Sequence, residues 1–264
     1  VQDAAGNARQ PNIPALLSIA GQKLARYNKN NVGKKIRICE KRRCILTYAQ
    51  LREEICQVGR LLYDRGYVAS NDGNISVMAE PGRLLITPSG VSKGRMTPDM
   101  LLVTDLEGNV IEGDRHPSSE GKMHLAVYRA RPEVRAVVHA HPQAATAFAI
   151  CRRPLKTPYL AELVLGLGEV PVTPEFAMLS TDEVPKSIEP YLPGHNALLL
   201  ANHGALAWGE SLWQAFDRME TVEHTAKTLL NVQALGGGVP LTEAQVDTLI
   251  GMRDMYKGLC GKTK

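Results

Sequence analysis

The sequence predicts an α/β fold in which one central, mostly antiparallel β-sheet is flanked by helices. Three observations carry this expectation. Strand-like stretches come in hairpins and clusters rather than in regular alternation with helices, which argues against a parallel sheet. Segments with helical periodicity precede, interrupt and follow those strands. At 264 residues the chain can bury one sizeable core.

The elements can be justified in order. Residues 1–13 are polar and expected to be disordered, and "PALLSIAGQKLARY" (14–27) suits a short amphipathic helix. "TYAQLREEICQVGRLLYDRG" (47–66) is a strong helix: Thr47 and Gln50 fit a capping box, Leu51, Ile55, Val58 and Leu62 form one stripe, and Gly66 sits where a helix ends. Strand signals follow at "NISVM" (74–78), "RLLITP" (83–88) and "LLVTDLEGNVIEG" (101–113), the last reading as a hairpin across Glu107-Gly108-Asn109. A helix starts near "PSSEGKMHLAVYRA" (117–130), with Ser118 or Ser119 as N-cap and Glu120 in the first turn.

"VVHAHP" (137–142) ends a β-branched run, and "PQAATAFAI" (142–150) opens another helix with Pro142 in its first turn. Residues 154–175 mix strand-like stretches with Pro and Gly. "ALLLANHGALAWG" (197–209) reads as two buried strands broken at Asn202-His203-Gly204. Residues 211–238 form a long helix ended by glycines, and 242–259 are helical again.

Composition narrows the class. Hydrophobic content of 44% and charged content of 22% are ordinary for a soluble globular protein, and no apolar run reaches the length of a membrane span. Cys39, Cys44, Cys56, Cys151 and Cys260 are odd in number and form no CxxC pair, which suits a reduced, cytoplasmic setting. The net charge of +4 is uneven: residues 1–46 hold ten Lys/Arg against Asp3 and Glu40, whereas 47–264 hold 21 basic and 25 acidic residues. The division expected is therefore a partly disordered basic extension, 1–46, and one domain, 47–264. The extension has no aromatic interleaving of the kind that stacks on nucleic-acid bases, and reads as a solvated leader.

Two constellations carry chemistry. In a strand, His139 and His141 share a face about 7 Å apart, whereas in a helix they would diverge. Alone, the pair fits either one metal ion or two unrelated polar residues. His203 sits at a strand break before Gly204, which permits a close backbone approach. Glu120, near a helix start, is favoured there by the helix dipole. Three imidazoles and one carboxylate make an ordinary set of ligands for Zn²⁺, although each residue separately has a structural reading. His124, four residues after Glu120, could ligate or support a ligand; His116, His195 and His224 fall outside the group. The second constellation suits an anion: "SNDGNIS" (70–76), "TPSG" (87–90) and Ser118-Ser119 supply hydroxyl, amide and backbone N–H donors.

"DGNISV", "LLITPSG", "PSSE…H", "VVHAHP" and "LLANHGALAWG", in this order, resemble the class II aldolase/adducin family, and within it the L-fuculose-1-phosphate aldolases. The likeness spans about residues 47–235. It implies a largely antiparallel sheet between helical layers and a cyclic homotetramer with sites at subunit interfaces. It implies one Zn²⁺ per chain on Glu120, His139, His141 and His203. It further implies a phosphate cradle of Asn74, Ser89, Gly90, Ser118 and Ser119, with Asn71 standing where the aldolases have a threonine. Glu120 would also be the catalytic base.

The implied activity is cleavage of a ketose phosphate to dihydroxyacetone phosphate and an aldehyde. The ribulose-phosphate 4-epimerases of the family carry Asp where this chain has Glu120, so the likeness favours carbon–carbon bond chemistry. The family's catalytic tyrosine, given by a neighbouring subunit, falls in the segment matching 158–165, where Tyr159 lies early and Glu162 nearer the place. Tyr159, Glu162 and Tyr256 are thus the candidate proton donors. A metal-dependent decarboxylase of a 3-oxo-sugar-acid phosphate would use the same residues. An adducin-like interaction module would be expected to lack the metal set.

Overall fold

A computed structural model describes residues 47–262, with side chains as far as residue 253. The segment 1–46, the amphipathic helix expected within it and the side chain of Tyr256 lie outside the described residues.

Helix α1 (Tyr48–Asp64) starts as its sequence dictates. Thr47 Oγ1 accepts from the Gln50 N–H at 3.3 Å, and Gln50 Oε1 accepts from the Thr47 N–H at 2.9 Å. Leu51, Ile55, Val58 and Leu62 are buried along one stripe, and a side chain of this size contributes about 1.5–3 kcal/mol when it leaves water. Gly66, at φ 69°, turns the chain out of the helix.

Seven strands then build one sheet: β1 (Asn74–Glu80), β2 (Arg83–Ile86), β3 (Leu102–Thr104), β4 (Val110–Glu112), β5 (Ala136–Ala140), β6 (Ala197–Leu200) and β7 (Gly204–Gly209). Their spatial order is β4-β3-β2-β1-β5-β7-β6, and each neighbouring pair is antiparallel. The β3–β4 hairpin turns where expected, because Asp105 Oδ1 accepts the N–H groups of Glu107 and Asn109 and Gly108 takes φ 92°.

The remaining helices are α2 (Gly121–Ala130), α3 (Gln143–Ile150), α4 (Ala161–Gly166), α5 (Glu183–Ile188), α6 (Leu212–Ala234) and α7 (Glu243–Lys262). Strand alternation sorts side chains between two cores. Val138, Ala205 and Ala207 pack with Ile55, Phe148 and Met219 of α1, α3 and α6. Val137, Leu206 and Trp208 pack on the opposite face with Met123 and Val127 of α2 and Ile188 of α5. His139 follows Val137 by two positions, so the strand period turns its ring to the α2 face.

Local expectation and structure part company at several places. Glu120 is the N-cap of α2 rather than a residue of its first turn, and neither Ser118 nor Ser119 caps the helix. The cause is a tie to the sheet: the Ser118 N–H bonds Thr87 O at 3.3 Å and Pro117 bridges to Pro88, so the chain turns only at Ser119 and Glu120, where the Gly121 N–H closes on Ser118 O at 2.9 Å. Pro142 is the extended N-cap of α3, not a helical residue, because the His141 N–H still bonds Tyr67 O at 2.8 Å. Residues 154–175, expected to be strand-like, give isolated bridges from Leu155 to Val170 and from Val172 to Leu199, with α4 between them burying Leu163 and Val164. Helix α5 had no sequence assignment.

Candidate metal centre

Four elements bring the site together. Strand β5 pairs with β1 so that His139 stands opposite Asn74, and with β7 so that it stands opposite Leu206. His141 lies one residue beyond β5, and its ring remains on the His139 side, with centroids 4.8 Å apart. His203 comes from the β6–β7 turn, where Asn202 takes the left-handed conformation at φ 55° and the His203 N–H closes on Leu200 O at 3.0 Å. Gly204 makes this approach possible: a Cβ there would lie 2.5 Å from Ala140 O and 2.6 Å from His141 Cδ2. Glu120 enters from the start of α2.

The donor atoms converge. His203 Nε2 lies 2.9 Å from Glu120 Oε1, His139 Nε2 lies 3.4 Å from Glu120 Oε2, and His141 Nε2 lies 3.0 Å from His139 Nε2. One ligand atom from each of His139, His141 and His203 falls within 4.8 Å of the others. His139 Nδ1 lies 2.9 Å from Ala205 O; a carbonyl accepts only, so Nδ1 carries the proton and Nε2 keeps a lone pair. Glu120 Oε1 is buried, with His203 Nε2 beside it. Lone pairs facing a common point are the arrangement a cation stabilises, so these residues fit a divalent metal.

The electrostatics agree with neutral rings at His139 and His141. Burial pushes His139 well below the usual imidazole value against the pull of Glu120, and His203 and His141 push it further. Burial and then His203 lower His141, which Asp72 partly offsets from 3.6 Å. Burial opposes ionisation of Glu120, but His139, His203 and the Asn74 amide outweigh it and hold the carboxyl well below its usual range. Asn74 Nδ2 donates to Glu120 Oε2 at 2.7 Å.

A cleft of about 250 Å³ opens beside this cluster and is lined by Asn71, Asn74, Ser89, Gly90, Ser118, Ser119, Glu120, His141 and His203. The small-residue segments thus meet at one place. Asp72, within the 70–76 segment, lines it too, and so does Lys93, which carried no sequence signal. A lone lysine between Ser92 and Gly94 has neither periodicity nor ligand spacing to mark it. His124 stays out of the cluster: burial lowers it to about 4, and its Nδ1 lies 2.7 Å from Ser76 Oγ, which also contacts Tyr128 at 2.9 Å.

Other candidates lie elsewhere in this chain. Tyr159 is half-buried, and a Cβ at Gly238 would lie 3.2 Å from its Cε1. Glu162 is exposed in the first turn of α4. Neither lines the cleft. His116 and His224 are exposed, and His195 Nδ1 lies 3.0 Å from Tyr191 O.

Comparison with known proteins follows the same lines. Residues 53–230 match the family model described as the class II aldolase and adducin N-terminal domain. The chain is 37% identical over 187 residues to the 3-oxo-tetronate 4-phosphate decarboxylase of Haemophilus influenzae, across 69% of this chain and 88% of that protein. It is 34% identical over 177 residues to the L-fuculose phosphate aldolase of Methanococcus maripaludis, across 66% and 93% respectively. A solved L-fuculose 1-phosphate aldolase superposes with a TM-score of 0.72 at 32% identity, covering 79% of this chain and 98% of that one.

Proposed function

The chain belongs to the class II aldolase and adducin family, and from that premise we propose that it is a Zn²⁺-dependent lyase that breaks a carbon–carbon bond of a phosphorylated sugar. The observation that carries this is the placement of Glu120. It meets His139 and His203 of the three-histidine cluster while following directly on Ser118 and Ser119 at the cleft, so metal and anion groups share one turn.

His139, His141 and His203, with Glu120, would hold the metal. Once bound, Zn²⁺ supplies Lewis-acid stabilisation of the negative charge left beside the carbonyl as the bond breaks. Glu120 moves the proton at the carbon that becomes nucleophilic. Asn74 orients the Glu120 carboxylate through its 2.7 Å hydrogen bond. Ser89, Gly90, Ser118 and Ser119 anchor the phosphate, so remote binding energy positions the reacting carbons.

Aldol cleavage of a ketose phosphate to dihydroxyacetone phosphate and an aldehyde is the first reading. Decarboxylation of a 3-oxo-sugar-acid phosphate is the second, favoured by the 37% identity to the Haemophilus influenzae decarboxylase. The protein works as a cytoplasmic homotetramer with a proton donor from a neighbouring subunit. Residues 47–264 form the catalytic domain and 1–46 a separable basic extension. Among the described residues no helix is long and apolar enough to cross a membrane.

The test is to incubate the metal-loaded chain, with and without residues 1–30, with candidate ketose phosphates and 3-oxo acid phosphates. Dihydroxyacetone phosphate or CO₂ should form, at similar rates in both forms. Metal-loaded protein that releases neither, and that does not exchange the carbon-bound hydrogen of dihydroxyacetone phosphate with deuterated water, would overturn the proposal.

A further inference from the structure

Lys93 is buried where a lysine is costly. It is 2% exposed, and among the described residues lining the cleft it is the single lysine or arginine. Its Nζ donates to Val91 O at 2.6 Å and to Asn71 O at 3.0 Å, and it makes no ion pair with a carboxylate of the described residues. An ammonium has three N–H bonds, so one remains for a further acceptor.

The position is enforced by backbone. A Cβ at Gly59 of α1 would lie 2.9 Å from Lys93 O, and one at Gly94 would lie 2.5 Å from the Tyr63 ring, so both glycines let the turn press onto α1. The turn that carries Lys93 is thereby held against α1. Burial lowers it to about 8, while the carboxylates of Asp72 and Glu120 pull it back up. A strut between two loops needs only a neutral donor, whereas a buried charge whose desolvation Asp72 and Glu120 offset only in part is stabilised further when an anion arrives.

We propose that Lys93 is the cationic floor of the anion site, binding a phosphate monoester dianion together with the neutral donors of Ser89, Gly90, Ser118 and Ser119. This rests on the reading of the cleft as a sugar-phosphate site and adds the full positive charge that the neutral donors lack. It also assigns a specificity: a terminal phosphate, with its second negative charge, is preferred over an uncharged polyol end.

The experiment titrates inorganic phosphate into the metal-loaded full chain, following binding by calorimetry and the melting temperature by thermal shift, for wild type, Lys93→Met and Lys93→Gln. Lys93→Gln keeps a donor for one carbonyl without the charge, so it guards against a variant that merely fails to fold. Loss of a charge-assisted contact should weaken phosphate on the order of 10- to 100-fold in both variants. Metal content should be unchanged, and the rise in melting temperature that phosphate gives the wild type should vanish. A structural role would instead lower the starting melting temperature and leave that rise intact. Phosphate binding at wild-type strength in either folded variant overturns the role of Lys93 and leaves the proposed function standing. Wild-type protein that binds metal but not phosphate overturns the anion site and the sugar-phosphate reading together.

Discussion

Glu120 Oε1 and His203 Nε2 lie 2.9 Å apart, with both side chains largely buried. A buried acceptor this close to a ring nitrogen normally takes its proton. A cation bound by the cluster of His139, His141 and His203 would take the place of that proton and bring the Glu120 carboxylate in as a further ligand.

Metal content follows first. Purified protein should carry about one divalent metal per chain, as expected of a single site of three histidines and a carboxylate. His139→Ala or His141→Ala should lower occupancy sharply, whereas His116→Ala and His195→Ala should not. Elemental analysis of the four variants decides this; full retention in both His139→Ala and His141→Ala would dissolve the centre.

Glu120→Gln separates holding the metal from moving the proton. Three imidazoles can keep Zn²⁺ without a fourth protein ligand. The amide preserves shape but removes the basic oxygen, a loss that costs on the order of 10²–10⁴ in rate. The variant should therefore retain most of its metal yet hardly exchange the dihydroxyacetone phosphate hydrogen with deuterated water. Exchange at the wild-type rate would make Glu120 structural and direct attention to Glu162.

Two glycines should respond with opposite signs to the same substitution. Gly204→Ala would force β7 away from Ala140 O and His141, and overpacking of this kind costs about 1–3 kcal/mol. It should lower both the melting temperature and metal occupancy, since His203 moves with the turn. Gly251→Ala, exposed in α7 with nothing within 4 Å of the added carbon, should stabilise by up to about 1 kcal/mol through helix propensity. Thermal denaturation of both variants, with metal analysis of the first, checks the contrast; an unaffected Gly204→Ala would mean the strands have room to part.

Short-range signals were legible in the chain itself. The Thr47–Gln50 capping box, the Gly108 hairpin and the shared face of His139 and His141 each depend on residues a few positions apart. The sequence order of the motifs likewise pointed to the family that residues 53–230 match.

What only the tertiary structure decided depends on partners distant in the chain. Glu120 became an N-cap because Ser118 is tied to Thr87, and α4 formed within a Pro- and Gly-containing segment whose Leu163 and Val164 found a core. Lys93 shows the limit most clearly. Nothing local distinguishes it from a solvated lysine, since its burial comes from α1, the loop at Asn71 and the Val91 carbonyl closing around it. Helix caps and strand periods are properties of neighbours along the chain, whereas desolvation is set by which surfaces meet, and that is decided only when the sheet and its helices pack.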